Sequence, residues 1–136
     1  MTTVEATILR QLRALCLALP EAYEEPAWIG TRWCIRQKNF CHVLVVKDGR
    51  PAGYAAPARL LTGTATVVTF RSALQEQLGV FSGRGDPWFA PSWWPNIVGL
   101  KIDDRTDWRE LTLLLKDSYR LLAPKKLAAL VTEKDP

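Results

Sequence analysis

The sequence predicts an α+β fold, an antiparallel sheet packed against an N-terminal and a C-terminal helix, and three observations predict it. Val4, Ile8, Leu12, Leu15 and Leu19 recur at spacings of four and three, a single apolar helical stripe. Leu111, Leu114, Leu115 and Leu122 mark a second stripe near the other end. Between them lie short β-branched and aromatic runs separated by turn residues, which is how strands read. The chain has 136 residues, 48% of them hydrophobic and 24% charged, too apolar for disorder and enough for one core. A single domain over 1–136 is expected.

Thr2 and Glu5 fit a capping box that opens a helix over residues 3–19, and Pro20 ends it. Glu21, Glu24, Glu25 and Pro26 read as an acidic loop. The stretch TRWCIRQKNFCHVLVVKDGR then reads as two strands around a turn near Lys38 and Asn39. That register places Trp33, Ile35, Phe40, His42, Leu44 and Val46 on one face, the expected core. Cys34, Arg36, Cys41, Val43 and Val45 fall on the other. Lys47, Asp48, Gly49 and Arg50 form a second turn, since Asp-Gly is a strong hairpin signal. Residues 51–63, rich in Pro, Gly and Ala, receive no assignment.

Residues 64–70 are a β-branched strand, and SALQEQL is a short helix stopping at Gly79. Residues 80–96 hold three prolines, two glycines and five aromatics, so irregular backbone must bury large rings. Residues 97–102 form a further strand. Asp107 and Glu110 make a second capping box, opening a helix to about Ala123. Pro124 starts a basic terminal turn with Lys125 and Lys126. Trp28, Trp33 and Trp108 are expected in the core or at its rim.

No catalytic constellation emerges. The only histidine, His42, sits in an apolar strand, where a buried, hydrogen-bonded ring is the usual outcome. Nucleophile-elbow, zincin and Walker sequences are absent, and SGRGD lacks the third glycine of a dinucleotide loop. Six residues intervene between Cys34 and Cys41, too many for a zinc pair, so Cys16, Cys34 and Cys41 read as packing thiols. No metal, no cofactor and no enzyme activity are expected. The apolar stretches are broken at Arg13, Pro20, Glu110 and Lys116, well short of the roughly 20 residues a bilayer span needs. The N-terminus does not read as a secretory signal, and three cysteines without pair spacing fit a reducing cytoplasm.

Charge and aromatics each suggest a binding role. The net charge of +4 is uneven. Residues 1–31 carry an excess of two acids, 32–84 an excess of six bases, and 85–136 balance. One reading is therefore a nucleic-acid module in which Arg36, Lys38, Lys47, Arg50, Arg71 and Arg84 reach DNA phosphates from hairpin turns, with little base specificity. If about four of them each neutralise a phosphate, affinity falls roughly 150-fold between about 50 and 200 mM salt. The alternative is a small-molecule binding domain whose cleft is lined by Trp88, Trp93 and Trp94.

A resemblance adds to the first reading. LPEAYEE, WCIRQKNFCHV, VTFRSALQEQL, SWWPNIVGLKI and WRELTLLLKDSYRLLAPK occur in the order seen in MmcQ/YjbR-like proteins, across roughly residues 8–127. SYRLLAPK, with Ser118 and Tyr119, is the most specific of them. The resemblance implies a frataxin-related, CyaY-like fold of the kind described as a double-wing DNA-binding module. Arg71 matches that family's basic residue after the third strand, and Trp94 the tryptophan before the last strand. Residues 51–63 are longer than the usual pattern. Iron binding, which the frataxin relationship raises, needs an acidic ridge on the first helix, and this helix offers only Glu5.

Overall fold

Six strands form one antiparallel sheet, and their apolar residues decide which helices cover it. The computed structural model describes residues 3–131. Its strands are β1 (Tyr23–Pro26), β2 (Thr31–Ile35), β3 (Lys38–Lys47), β4 (Thr64–Arg71), β5 (Trp88–Phe89) and β6 (Ile97–Ile102). Their order across the sheet is β1-β2-β3-β4-β6-β5. The helices are α1 (Ala6–Leu17), α2 (Ala52–Ala55), α3 (Ala73–Leu78), α4 (Trp108–Leu122) and α5 (Lys125–Ala128). The fold is α+β, as predicted, with α1, α4 and α5 contributing to the core on one face of the sheet. Among the described residues, no helix is long and apolar enough to cross a membrane.

The strand-edge details correct several expectations. Tyr23–Pro26 is an edge strand, not a loop, because its carboxylates are absorbed by neighbours: Glu24 by Arg13 and Trp33, Glu25 by Arg32. The turn between β2 and β3 is Arg36–Gln37, both left-handed at φ 50° and 65°, rather than Lys38–Asn39. Such positive values match the twist of a two-residue hairpin. The register then slips by one, since Trp33 pairs with Cys41 while Cys34 pairs with Asn39, which leaves Phe40 as a bulge. Phe40 and Cys41 therefore both face the helices, and every later residue of β3 changes sides. Cys41 and Val43 join Trp33 and Ile35 in the main core. His42, Leu44 and Val46, expected there, lie on the opposite face.

That opposite face is partly covered by the segment left unassigned. Ala55, Ala58 and Leu60 pack on Leu44, Val46, Val67 and Phe89 in a second apolar cluster. Gly99 makes this possible: a Cβ there would stand 2.2 Å from Phe89 Cζ, so only glycine lets the ring lie flat on β6. Trp33 is fully buried and Trp108 packs at the core rim, but Trp28 is 91% exposed, contrary to expectation. It belongs to a tight turn closed by the Ala27 N–H on the Gly30 carbonyl, with Gly30 pressed against β3.

Helix ends follow their caps where these can be described. Thr2 lies outside the described residues; α1 starts at Ala6, and the Glu5 side chain makes no capping bond. Asp107 accepts from the Arg109 and Glu110 N–H groups, while the Glu110 carboxylate pairs with Arg84 instead of closing the box. Ser72 caps α3, and Gly79 ends it in the left-handed region.

Two hydroxyls fasten helix α4, one to the sheet and one to the chain just after α1. Ser118, fully buried, accepts from the Arg71 N–H at 2.9 Å and donates to the Phe40 carbonyl at 2.6 Å. Tyr119 donates to the Pro20 carbonyl at 2.6 Å and meets Phe40 edge-on. Ser118→Ala strands two buried backbone groups and should cost about 2–4 kcal/mol in urea denaturation. Gly99→Ala should cost about 1–3 kcal/mol by the same measurement, since Phe89 must leave its seat. Stabilities equal to wild type would refute either assignment.

Candidate functional site

The six basic residues singled out in the sequence do not share one surface. Arg36 pairs with Glu21 at 3.0 Å, and Arg84 pairs with Glu110 at 3.1 Å while stacking over Trp88. Lys38 and Lys47 terminate the ten-residue strand β3, which puts them roughly 30 Å apart at about 3.3 Å per residue. Arg50 stays with Lys47 at one end through the Lys47–Arg50 bridge. Arg71 ends β4 near Lys38, at the other. Arg36 and Lys38, and Lys47 and Arg50, stand at turns as expected, but Arg71 ends β4 and Arg84 lies in a 3-10 turn over Ser82–Arg84, and the six do not gather.

The tryptophans divide as well. Trp88 is buried in the main core against Phe81, and what it shows borders a charged groove with Arg84, Lys101 and Glu110, apart from the recess that Trp93 lines. Trp93 and Trp94 are about half exposed, at 48% and 52%, and both stand beside the end of β4. Here the polar residues of the open face converge. A recess of about 110 Å³ is lined by Asn39, His42, Tyr54, Thr69, Arg71 and Trp93. Strand alternation supplies it: His42 lies opposite Thr69, which lies opposite Gly99, and Arg71 lies opposite Ile97 in the next row.

Arg71 sits at its rim. The guanidinium donates to the Asn96 side-chain carbonyl at 3.0 Å and lies 5.6 Å from the centre of the Trp94 ring. It has no carboxylate within ion-pair distance among the described residues, although it is half buried. Burial pulls its pKa below the ordinary arginine value, yet an arginine so placed stays charged. The indole face and the amide oxygen together stabilise an otherwise uncompensated cation.

His42 is the hub of the recess wall. Its Nε2 lies 2.6 Å from the Ile29 carbonyl, which can only accept, so Nε2 carries the proton. Nδ1 is then an acceptor and takes a long hydrogen bond from the Tyr54 hydroxyl at 3.4 Å. Burial raises the Tyr54 pKa, so the phenol keeps its proton. Tyr54 meets Trp93 edge-on, and the Trp93 N–H donates to the Gly53 carbonyl. The chain Ile29–His42–Tyr54–Trp93 thus ties the β1–β2 turn to the mouth of the recess. Gly30 lets it form: a Cβ there would stand 1.9 Å from the Val43 carbonyl, so no other residue brings Ile29 this close.

Sequence reasoning selected Arg71, Trp93 and Trp94 but missed Tyr54, Thr69 and Asn96. Tyr54 lies in the unassigned Pro-Gly-Ala segment, and nothing in its neighbourhood marks it. His42 is buried and hydrogen-bonded as expected, but toward the recess rather than the core. Cys16, Cys34 and Cys41 are buried free thiols. Burial, with Glu25 beside it, pushes the Cys34 thiol up to about 11, so it is a poor nucleophile. No protein-family model, no curated protein and no solved structure matches the chain.

Burial lowers the His42 pKa from its ordinary value; the Ile29 hydrogen bond opposes the shift and the Arg32 charge adds to it. On unfolding, the imidazole regains an ordinary pKa of about 6.5 and takes up a proton that the folded chain refuses. Stability is therefore fully present above about 6.5, and it declines as pH falls from there toward the folded-state value. Glu24, held below the usual carboxylate range first by its hydrogen bond from Arg13, acts at lower pH. Urea denaturation between about pH 7.5 and 5.5 should show the decline. Because His42 is the only histidine, His42→Gln should flatten that slope, and an unchanged slope would contradict the assignment.

Proposed function

We propose that this chain is a non-enzymatic binding module that takes a small organic ligand on the open face of its sheet, with Trp93 and Trp94 at the mouth. The observation that carries the reading is the half-buried Arg71 guanidinium, paired with no carboxylate, at the rim of a polar recess flanked by two half-exposed indoles. A half-buried cation held only by neutral partners is matched by an anion, and ligand sites combine a few convergent polar groups with aromatic surface. The catalytic alternative lacks an activated nucleophile: His42 is the one side-chain base at the recess, and the Cys34 thiol is fully protonated at neutral pH.

The competing reading is the nucleic-acid module implied by the resemblance to MmcQ/YjbR-like proteins, with Lys38, Lys47, Arg50 and Arg71 on phosphates. The distance between the two ends of β3 and the ion pairs of Arg36 and Arg84 weigh against a single phosphate footprint. The two readings differ in salt dependence.

Intrinsic fluorescence tests them. Small aromatic ligands should quench or shift the tryptophan emission with no more than about a four-fold change in affinity between about 50 and 200 mM salt, since at most one counterion is exchanged. Trp93→Ala and Trp94→Ala should each weaken that binding by roughly 5- to 50-fold, as expected when a stacking ring is lost. Oligonucleotide binding that falls about 100-fold over the same salt range would favour the nucleic-acid module instead.

A further inference from the structure

Resting on that reading, we infer that the ligand is an organic monocarboxylate with a flat apolar body, its carboxylate held by Arg71 in the recess and its body laid across Trp93 and Trp94. Size comes first. The recess of about 110 Å³ is small against the roughly 300–1,000 Å³ of a pocket that swallows a drug-sized molecule. It has room for a head group of a few atoms, at a liquid-water share of about 30 Å³ each. The rest of the ligand must lie outside, and the surface beside the mouth is indole.

Charge selects the head. On β2, Arg32 faces His42 across the strand pair but is consumed by Glu25 at 2.6 Å. On β3, His42 is neutral at pH 7, because burial holds its pKa below the ordinary value, and its Nε2–H is committed to Ile29. Asn39 and Thr69 are uncharged, Tyr54 of α2 keeps its proton, and Asn96 and Trp93 carry no charge. Lys38, beside Asn39, is exposed to solvent and screened by it. That leaves Arg71 as the one partly desolvated charge, matched by a single negative charge. A phosphomonoester carries about −1.5 to −2 at pH 7 and would leave charge unpaired in the recess.

Donor geometry agrees. Only one Arg71 nitrogen is engaged, by Asn96, so the guanidinium keeps an edge for the two oxygens of a carboxylate. Asn96 and Trp94 hold the guanidinium in place, and Thr69 lines the same recess. A flat body follows from the walls. Trp93 is held by its bond to Gly53 and by Tyr54, and Trp94 lies against Arg71, so both half-exposed rings offer flat surfaces onto which a planar system stacks.

Calorimetry on the whole chain with naphthoate, naphthamide, naphthyl phosphate and acetate separates the parts. Naphthoate should bind, with naphthamide weaker by roughly 10- to 100-fold for loss of the charge-assisted pair. Naphthyl phosphate should be weaker than naphthoate, and acetate, lacking the body, weaker still. Arg71→Gln should weaken naphthoate far more than naphthamide, which loses only the Arg71 support of the Trp94 ring, so that the two bind alike, and Arg71→Lys should fall between. Equal affinities for naphthoate and naphthamide would overturn the carboxylate while leaving a ligand site standing. Tighter binding of the phosphate would overturn the single-charge argument. Failure of all four probes to bind would remove this inference together with the proposed function. Should Arg71→Gln not fold, the comparison of naphthoate with naphthamide on the unaltered chain decides alone.

Discussion

The Ser118 hydroxyl accepts from the Arg71 N–H and donates to the Phe40 carbonyl, where the β3–β4 ladder would otherwise continue beyond the Cys41–Phe70 pair. Two strands that part company at this point are thereby held by a side chain of α4. The bulge at Phe40 is satisfied only because that hydroxyl reaches its carbonyl, an otherwise orphaned buried acceptor. Without the bulge, strand alternation would turn His42 into the core and Cys41 out of it. Tyr119, one residue along, ties the same turn of α4 to the end of α1 through Pro20. The composition of the open face is therefore decided by contacts made on the opposite one.

Electrostatics follow a similar indirect route. The acidic N-terminal stretch and the basic middle block look like separate territories in the sequence, but the fold lays one along the other. Glu21 meets Arg36 and Glu25 meets Arg32, while Glu24 joins Arg13 of α1 to the Trp33 N–H. These pairs are largely solvent-accessible and add little individual stability. Their effect is on the field. Once they form, the middle block's excess of six bases no longer describes a surface, and Lys38 and Lys47 stand at opposite ends of β3.

What could be read from the sequence is what repeats or what caps. The stripe of α4 and its Asp107 cap, the Ser72 and Gly79 ends of α3, and the β-branched strands β4 and β6 all carry local signals that the fold does not override. The bulge carries none, because one extra residue in an apolar strand leaves its composition the same and its length within the ordinary range, yet it inverts every later side chain of β3. β1 was hidden for a different reason. Its carboxylates resemble a solvated turn until residues 7 to 11 positions away supply the partners. Of the recess, Arg71 and the two exposed indoles were visible as chemical types. Tyr54, Thr69 and Asn96 became neighbours only through the sheet register and the folding back of residues 51–60.

Arg71 shows why such a recess is a balance rather than an accident of packing. Complete burial of a guanidinium without a counter-ion costs several kcal/mol, as estimates for desolvated charges indicate. Full exposure would leave the Trp94 face and the Asn96 amide without their shared partner. The observed position lies between, with the backbone N–H locked by Ser118 and the side chain leaning on an indole. Moving it inward would add desolvation, and moving it outward would forfeit the cation–π contact of about 0.5–2 kcal/mol. An incoming anion relieves this standoff in one direction only, because it compensates the charge without displacing either contact. The same seat that fixes the end of β4 therefore leaves a cation poised at the recess.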